Sequence, residues 1–412
     1  MDDSSDPAAA SLMARLDTLA ACSDADGAIT RLFLSPAHAR AVALVRSWME
    51  QAGLATRLDA AATLIGRLEG PGPDSPVLLL GSHLDTVRDG GRYDGALGML
   101  GGLAAIERLR AAGRRLPFAV ELLAFGDEEG VRFPLTMTGS RAAAGSLDPA
   151  QLSATDADGL TIADALRGFG CDPAALPAAA YDPARVLGFL ELHIEQGPVL
   201  ERDGLALGIV TAINGARRGR MVVEGLAGHA GTVPMEDRRD ALVAASAMIL
   251  AVRDVARHHP GVTATVGQIE AHPGAVNVIP GRVAFTLDVR APEDRLRDLA
   301  LAAIETELAR IAAACGVTAA LEMSFRADAV SCAPALCDRL ERAARAEGVS
   351  SRRLPSGAGH DAMIMAALCP VGMLFVRCAG GISHNPREAI DAADAGRAVR
   401  ALARTISDWS VF

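Results

Sequence analysis

The run Gly81-Ser-His-Leu-Asp-Thr-Val-Arg-Asp-Gly-Gly-Arg-Tyr-Asp-Gly95 holds one imidazole, His83, and two carboxylates, Asp85 and Asp94. Before it lies Pro76-Val-Leu-Leu-Leu80, an apolar run that reads as a buried strand. After it, from Ala96, comes an Ala/Leu/Gly-rich stretch of helical period. A loop past a strand's carboxyl end and ahead of a helix is where open α/β sheets form binding crevices. One His with two Asp suits a hard or borderline divalent cation. Taken alone, the run reads more readily as a surface loop with a capping Asp and a solvated His.

Three further strand ends change that balance. The strand-like 118–125 ends in Gly126-Asp-Glu-Glu-Gly130, and 187–194 carries His193 and runs into Glu195-Gln-Gly-Pro198. The third, 371–378, leads to Gly380-Gly-Ile-Ser-His-Asn-Pro386 with His384. Part of this set suffices for one cation. Three His, a bridging Asp94 and a Glu suffice instead for two cations ~3.5–4 Å apart, the spacing of hydrolytic two-metal sites. Glu128 and Glu129 are neighbours, and adjacent side chains in extended backbone point to opposite sides. One can ligate while the other stands free as a general base.

The elements that position these residues follow from pattern. Strand 77–80, helix 96–112 and strand 118–125 form a βαβ unit, right-handed by strong precedent. Both strands are therefore parallel and end on one sheet edge. At 412 residues the chain exceeds the ~250–300 at which single cores split, so two domains are expected. From about Asn214 the order is strand 221–226, helix 237–258, strands 262–269 and 283–290, helix 293–315 and strand 317–325. This β-α-β-β-α-β order is a split βαβ layout. After Asp328, helices at 334–348, 359–368 and 392–406 surround the strand 371–378. The reading is a mainly parallel α/β domain formed by 1–213 and 328–412, interrupted by a smaller α+β domain at 214–327.

Composition excludes several classes. Forty Lys and Arg against fifty Asp and Glu leave a net charge of −10, which argues against nucleic-acid or anionic-membrane binding. No apolar run approaches the roughly 18–20 residues of a spanning helix. The acidic start is the reverse of a signal peptide's basic region, so a cytoplasmic protein is expected. Seven scattered Cys without a Cys-x-x-Cys pair suit reduced thiols rather than a disulfide frame or thiolate zinc site.

The motifs Gly-Ser-His-Leu-Asp-Thr, Gly-Gly-Arg-Tyr-Asp-Gly, Asp-Glu-Glu-Gly-Val-Arg-Phe, Leu-His-Ile-Glu-Gln-Gly-Pro, Ala-Gly-His-Ala-Gly-Thr-Val-Pro-Met, Ser-Gly-Ala-Gly-His-Asp-Ala-Met and Gly-Ile-Ser-His-Asn-Pro resemble the amidohydrolases of the M20 metallopeptidase superfamily. The branch is that of allantoate amidohydrolase and N-carbamoyl-L-amino-acid hydrolase. The resemblance implies a zinc-exopeptidase-like catalytic domain holding two divalent ions (Zn²⁺, Mn²⁺, Co²⁺ or Ni²⁺). His83, Asp94 and His193 would bind one ion, and Asp94, Glu129 and His384 the other. Glu128 would be the general base, and the Asp85 carboxylate would orient His83. The smaller domain would be a lid that also forms a homodimer. On it, His229 would steady the oxyanion, reaching the partner subunit's site. Asn277 and Arg290 would hold the substrate's carboxylate, with Gln196, Gly357 and Gly359 lining the pocket.

The implied reaction removes a terminal ureido group from a small carboxylic acid. Arg217-Arg218 resembles the Arg pair of the allantoate enzymes, which favours allantoate going to ureidoglycine or ureidoglycolate with release of ammonia and CO₂. The alternatives are an N-carbamoyl-L-amino-acid hydrolase or β-ureidopropionase. A peptidase or deacylase of the superfamily is disfavoured, because those relatives more often place a carboxylate where His193 stands. An inactive metal-binding relative is disfavoured because it would have no need of Glu128.

Overall fold

The computed structural model describes residues 7–409. The chain forms two compact units, one comprising Met1–Thr211, Cys332–Leu354 and Gly359–Phe412, the other Ala212–Ser331 with Pro355–Ala358. The boundaries expected at 213/214 and 327/328 therefore move by a few residues. The short segment Pro355–Ala358, expected in the larger domain, packs instead with the smaller one. There Ser356 O accepts the Asn214 N–H at 2.9 Å and Gly357 O accepts from Arg290 Nη1 at 2.9 Å.

The larger unit begins with α1 (Pro7–Ala20), α2 (Pro36–Gln51), β1 (Ala55–Leu58), β2 (Leu64–Leu68) and β3 (Val77–His83). There follow α3 (Ala96–Ala111), β4 (Ala119–Phe125), α4 (Thr138–Ala143), α5 (Ile162–Phe169), β5 (Val186–Ile194), α6 (Val199–Arg202) and β6 (Leu207–Ile213). The smaller unit holds β7 (Gly215–Glu224), β8 (Gly228–His229), α7 (Ala241–Arg257), β9 (Thr263–Thr265), β10 (Ile269–His272) and β11 (Val278–Ile279). It continues with β12 (Arg282–Ala291), α8 (Asp294–Ala314), β13 (Thr318–Ala327) and β14 (Val330–Ser331). The chain closes with α9 (Pro334–Ala346), β15 (Ser351–Ser356), α10 (Asp361–Met365), β16 (Val371–Val376) and α11 (Ala392–Ser407).

In the larger unit the sheet order is β1-β2-β4-β3-β5-β16-β6. The central β4, β3, β5 and β16 run parallel, while β2 and β6 flank them antiparallel. The fold is thus the mixed, mainly parallel α/β arrangement expected. Register sets the site: His83 lies opposite Phe125, and His193 lies opposite Phe375. The ends of the four parallel strands therefore share one edge. β3 and β4 are buried along their whole length, as strands covered on both faces must be. α3 is buried over most of its surface. Local chemistry starts the helices where the sequence indicates: Ser35 accepts the His38 N–H ahead of Pro36, and Asp391 caps α11.

The smaller unit is a two-layer sandwich. Its antiparallel sheet runs β10-β12-β7-β13, with β9 also on β12. Val283, Phe285, Leu287 and Val289 of β12 pack with α7 and α8 into one core. The alternate residues Thr286, Asp288 and Arg290 are only partly buried. The strand expected at 262–269 is two short strands, β9 and β10, with the break at Val266–Gln268. β7 begins at Gly215, well ahead of the expected start: Arg218 and Arg220 are exposed, and on the face that Met221 and Val223 turn to the core the earlier positions include the glycines Gly215 and Gly219. Alternation carried by such small inward residues leaves little apolar signal. The helix expected at 359–368 is only α10, and β6 and β15 were not anticipated. Pro355 and two Arg make β15 a poor strand by composition.

Candidate active site

The metal-like loops are fixed by the backbone before any side chain is considered. Leu84 N–H donates to Phe125 O at 2.9 Å, joining the ends of β3 and β4, and Glu195 N–H donates to Val376 O at 2.9 Å, joining β5 to β16. Arg31, fully buried, clamps the segment after His83. Its Nε donates to Leu84 O, its N–H to Thr86 Oγ1 at 2.9 Å, and its carbonyl accepts the Thr86 N–H at 3.0 Å. Gly95 turns the chain from Asp94 into α3 at φ +66°, and a Cβ there would run into the His83 ring. Only glycine satisfies both demands.

Around Asp94 the three histidines converge. Oδ1 lies 3.5 Å from His83 Nε2 and 3.2 Å from His193 Nε2, while Oδ2 lies 3.2 Å from His384 Nε2. His384 Nε2 is also 3.5 Å from Glu129 Oε1. Two sets, His83/Asp94/His193 and Asp94/Glu129/His384, each bring their ligand atoms within 4.8 Å of one another. A third and a fourth set of the same tightness are His83/Glu128/Glu129 and Glu191/His193/His360.

The ring nitrogens decide what these sets can hold. His83 Nδ1 meets Asp85 O at 2.9 Å and His193 Nδ1 meets Ile194 O at 3.0 Å. A carbonyl only accepts, so each Nδ1 carries the proton and each Nε2 presents a lone pair. Two lone pairs then face a carboxylate oxygen, an arrangement that needs a proton or a cation between them. His193 Nε2, Glu129 Oε1 and Gln196 Oε1 are buried without a hydrogen-bond partner, which a shared cation would remedy. The residues present therefore fit a divalent metal.

Electrostatics points the same way. Burial pushes the Asp94 carboxyl up, but the close imidazoles of His193, His384 and His83 outweigh it and hold the group well below the usual range. Glu129 is pushed up to about 7, first by burial and then by the Asp94 charge. Glu128 is raised well above its ordinary value, chiefly by burial. Asp94 holds His384 up at about 9. A dense group of carboxyls in a low-dielectric edge calls for cationic counter-charge.

Asp85 serves differently from expectation. Its carbonyl, not its carboxylate, fixes His83; the nearer carboxylate oxygen stands 3.8 Å from Nδ1. The carboxylate instead accepts the backbone N–H groups of Glu128 and Glu129, each at 3.2 Å, and so sets the acidic pair against the His83 loop. Gln196, at φ +56°, donates to Asp94 Oδ2 at 2.9 Å. Gly359 precedes His360, whose ring meets His193 edge-on at 4.5 Å.

Within the smaller unit, β8 pairs with β11 so that His229 lies opposite Val278, and Asn277 O accepts the Ala230 N–H at 3.0 Å. His229 and Asn277 are thus neighbours, both exposed. Arg218 and Arg290 share Asp288. Arg290 grips it through Nε and Nη2, each at 2.9 Å, and Arg218 Nε reaches it at 2.9 Å while its guanidinium stacks 4.7 Å over Phe325. Burial raises Asp288, but the two arginines outweigh it and hold it low. With Nη1 also on Gly357 O, Arg290 keeps two of its five N–H groups free for a ligand. Arg218, Asp288, Arg290 and Gly357 line one cleft of about 740 Å³.

Sequence reasoning missed Glu191, buried two residues before His193, whose oxygens accept from Ser82 Oγ at 2.9 Å and Ala362 N–H at 2.9 Å. The period-two spacing on one strand was the available signal. His360 and Asp361 stand in Ser-Gly-Ala-Gly-His-Asp-Ala-Met, to which the sequence assigns no catalytic role; Asp361 is pushed up to about 8, mainly by burial.

Residues 79–408 match peptidase family M20/M25/M40. The chain belongs to this family. The M20 family is metal-dependent, and its members here are hydrolases. The chain is 43% identical over 362 residues to an N-carbamoyl-L-amino acid amidohydrolase of Geobacillus stearothermophilus, covering 88% of each. It is 42% identical over 421 residues to an allantoate deiminase of Arabidopsis thaliana, covering 95% of this chain and 80% of that one. A solved hydantoinase/carbamoylase family amidase from Burkholderia multivorans superposes with a TM-score of 0.91 at 35% identity, covering 97% of each chain. Among the described residues no helix is long and apolar enough to cross a membrane.

Proposed function

We propose that this M20 hydrolase removes the terminal ureido group of a small carboxylic acid, with allantoate as its substrate and ammonia and CO₂ as products. The observation that carries the reading is Asp94, which turns one oxygen to His83 and His193 and the other to His384. That arrangement suits two divalent ions sharing one carboxylate, with His83, Asp94 and His193 on one and Asp94, Glu129 and His384 on the other. When bound, such ions supply Lewis acidity, which eases deprotonation of water and polarises a carbonyl. Zn²⁺, Mn²⁺, Co²⁺ and Ni²⁺ all suit these N/O donors.

The chain's own groups supply the rest. Glu128, raised by burial, accepts the proton of the attacking water and returns it to the leaving nitrogen. Asp85 keeps that glutamate in place through the backbone. Arg290 offers its two free N–H groups to the substrate carboxylate, an arginine–carboxylate geometry with good directionality, and Asn277 assists. His229 steadies the developing oxyanion. Gln196, Gly357 and Gly359 shape the surroundings of the substrate. Arg218, already tied to Asp288, presents its remaining donors to a second ureido arm, which allantoate has and N-carbamoyl amino acids lack. The two arginines and Asp288 together leave one net positive charge, suited to a monoanion.

The second reading is an N-carbamoyl-L-amino-acid hydrolase or β-ureidopropionase, favoured by the similarity to the Geobacillus stearothermophilus enzyme. We also infer a cytoplasmic homodimer formed through the smaller unit. Val243 and Leu250 on α7 and Leu299 on α8 are exposed apolar residues, and β13 ends its sheet, so a second copy has both apolar and strand-edge surface to cover. Ammonia release from metal-loaded protein, with allantoate beside a panel of N-carbamoyl amino acids, tests the substrate. Turnover of the carbamoyl amino acids alone would replace the first reading by the second.

A further inference from the structure

We propose that Glu388 is a positioning residue that joins the Asp94 loop to the His384 turn and thereby sets the Asp94/Glu129/His384 cation site. The proposal rests on the two-ion reading above. Glu388 is buried, at 4% exposure, and both of its carboxylate oxygens are hydrogen-bonded. Oε1 accepts the N–H of Tyr93 at 2.7 Å and that of Asp94 itself at 3.1 Å. Oε2 lies 2.9 Å from Ser383 Oγ. With three donors around it, this carboxylate is not free to ligate; it works through the residues that are.

Ser383 is the other half of the link. Its hydroxyl also lies 3.0 Å from Asp94 Oδ2, but one O–H carries one proton. With Asp94 Oδ2 committed to a cation, the proton belongs to Glu388. The next residue, His384, sits at φ +53°, a left-handed conformation that a non-glycine residue keeps only when its surroundings impose it. Glu388 supplies that imposition: its own N–H closes a turn onto Asn385 O at 3.0 Å, and its carboxylate holds Ser383 on the other side of the histidine. Gly91 leaves room for the arrangement, because a Cβ there would overlap the Glu388 carboxylate.

Two variants separate positioning from mere stability. Glu388→Gln keeps size but replaces an acceptor facing Ser383, and Gly91→Ala leaves Glu388 intact while displacing it. Chelator-stripped wild type and variants are titrated calorimetrically with Zn²⁺ alone and, separately, with Mn²⁺ alone, and melted without metal. Wild type is expected to take two ions. Both variants are expected to bind one ion at least ~10-fold more weakly, the usual effect of losing a group that orients a ligand, and to weaken the other less, because Asp94 serves both ions while the Ser383–His384 link serves only one. Two ions bound as in wild type would overturn the proposal and leave the two-ion reading intact. Equal weakening of both ions with a lowered metal-free melting point would overturn it in favour of a structural role. Wild type that takes up no ion would overturn the two-ion reading and the proposal with it.

Discussion

The two units of the chain hold their chemical residues in opposite ways. In the larger one, His83, Asp94 and His193 are buried, each histidine is pinned through Nδ1 by a backbone carbonyl, and the acceptors left over face one another. In the smaller one, His229, Asn277 and Arg218 are exposed, and Arg218 and Arg290 satisfy themselves on Asp288. The first region has a donor set that fits a cation. The second is already paired and offers its spare donors to whatever enters the cleft. Burial, not residue type, makes the difference: a buried lone pair without a partner costs several kcal/mol in an apolar reference and so implies an occupant, whereas a solvated guanidinium implies nothing by itself.

The comparison predicts unequal losses. Glu128→Gln should lower kcat by about 10³-fold, within the range of general acid–base groups, while metal content stays unchanged. A wild-type rate would remove the base from the account. In the smaller unit, Arg290→Ala should raise KM by about 30-fold with a lesser change in kcat, as expected for one charge-assisted hydrogen-bonded pair. An unaltered KM would mean that the cleft does not take the substrate carboxylate. Arg218→Leu should shift the ratio of kcat/KM for allantoate over an apolar N-carbamoyl-L-amino acid by roughly tenfold, the scale of a single polar contact. An unchanged ratio would detach Arg218 from substrate choice.

Burial in the larger unit has a smaller consequence for stability. His38 is fully buried, accepts the Leu34 N–H on Nδ1, and is held down to about 3, first by burial and then by Arg31. Between that value and the unfolded one the unfolded chain binds the extra proton, so this contribution is complete above pH 6.5 and falls as pH drops toward 3. The slope is about 1.4 kcal/mol per pH unit. Urea midpoints of metal-free wild type and His38→Asn at pH 7 and pH 5 check it. The variant keeps an acceptor for Leu34 and should lose less on acidification; equal losses would place the acid sensitivity elsewhere.

Much of this was legible in the sequence because parallel strands leave strong marks. The continuous apolar runs before His83 and Glu128, and their βαβ spacing, led directly to a shared sheet edge. The split unit was legible from its helices, α7 and α8. What escaped had physical reasons. β7 hid its start behind outward arginines and small inward residues, and β9 and β10 broke where Gly267 interrupts the strand. Asp85 lies beside His83, yet its carboxylate turns to the Glu128 backbone, and no residue pattern reports which atom of a side chain or main chain makes a contact. Glu388 is far from Asp94 in sequence, so only the folded chain shows that they meet.

Anomalous diffraction from crystals grown with Zn²⁺ or Mn²⁺ tests the central claim most directly. The account predicts two peaks flanking Asp94, one within ligand distance of His83 and His193 and the other within ligand distance of Glu129 and His384. A loaded crystal of active enzyme with no peak touching Asp94 would contradict it.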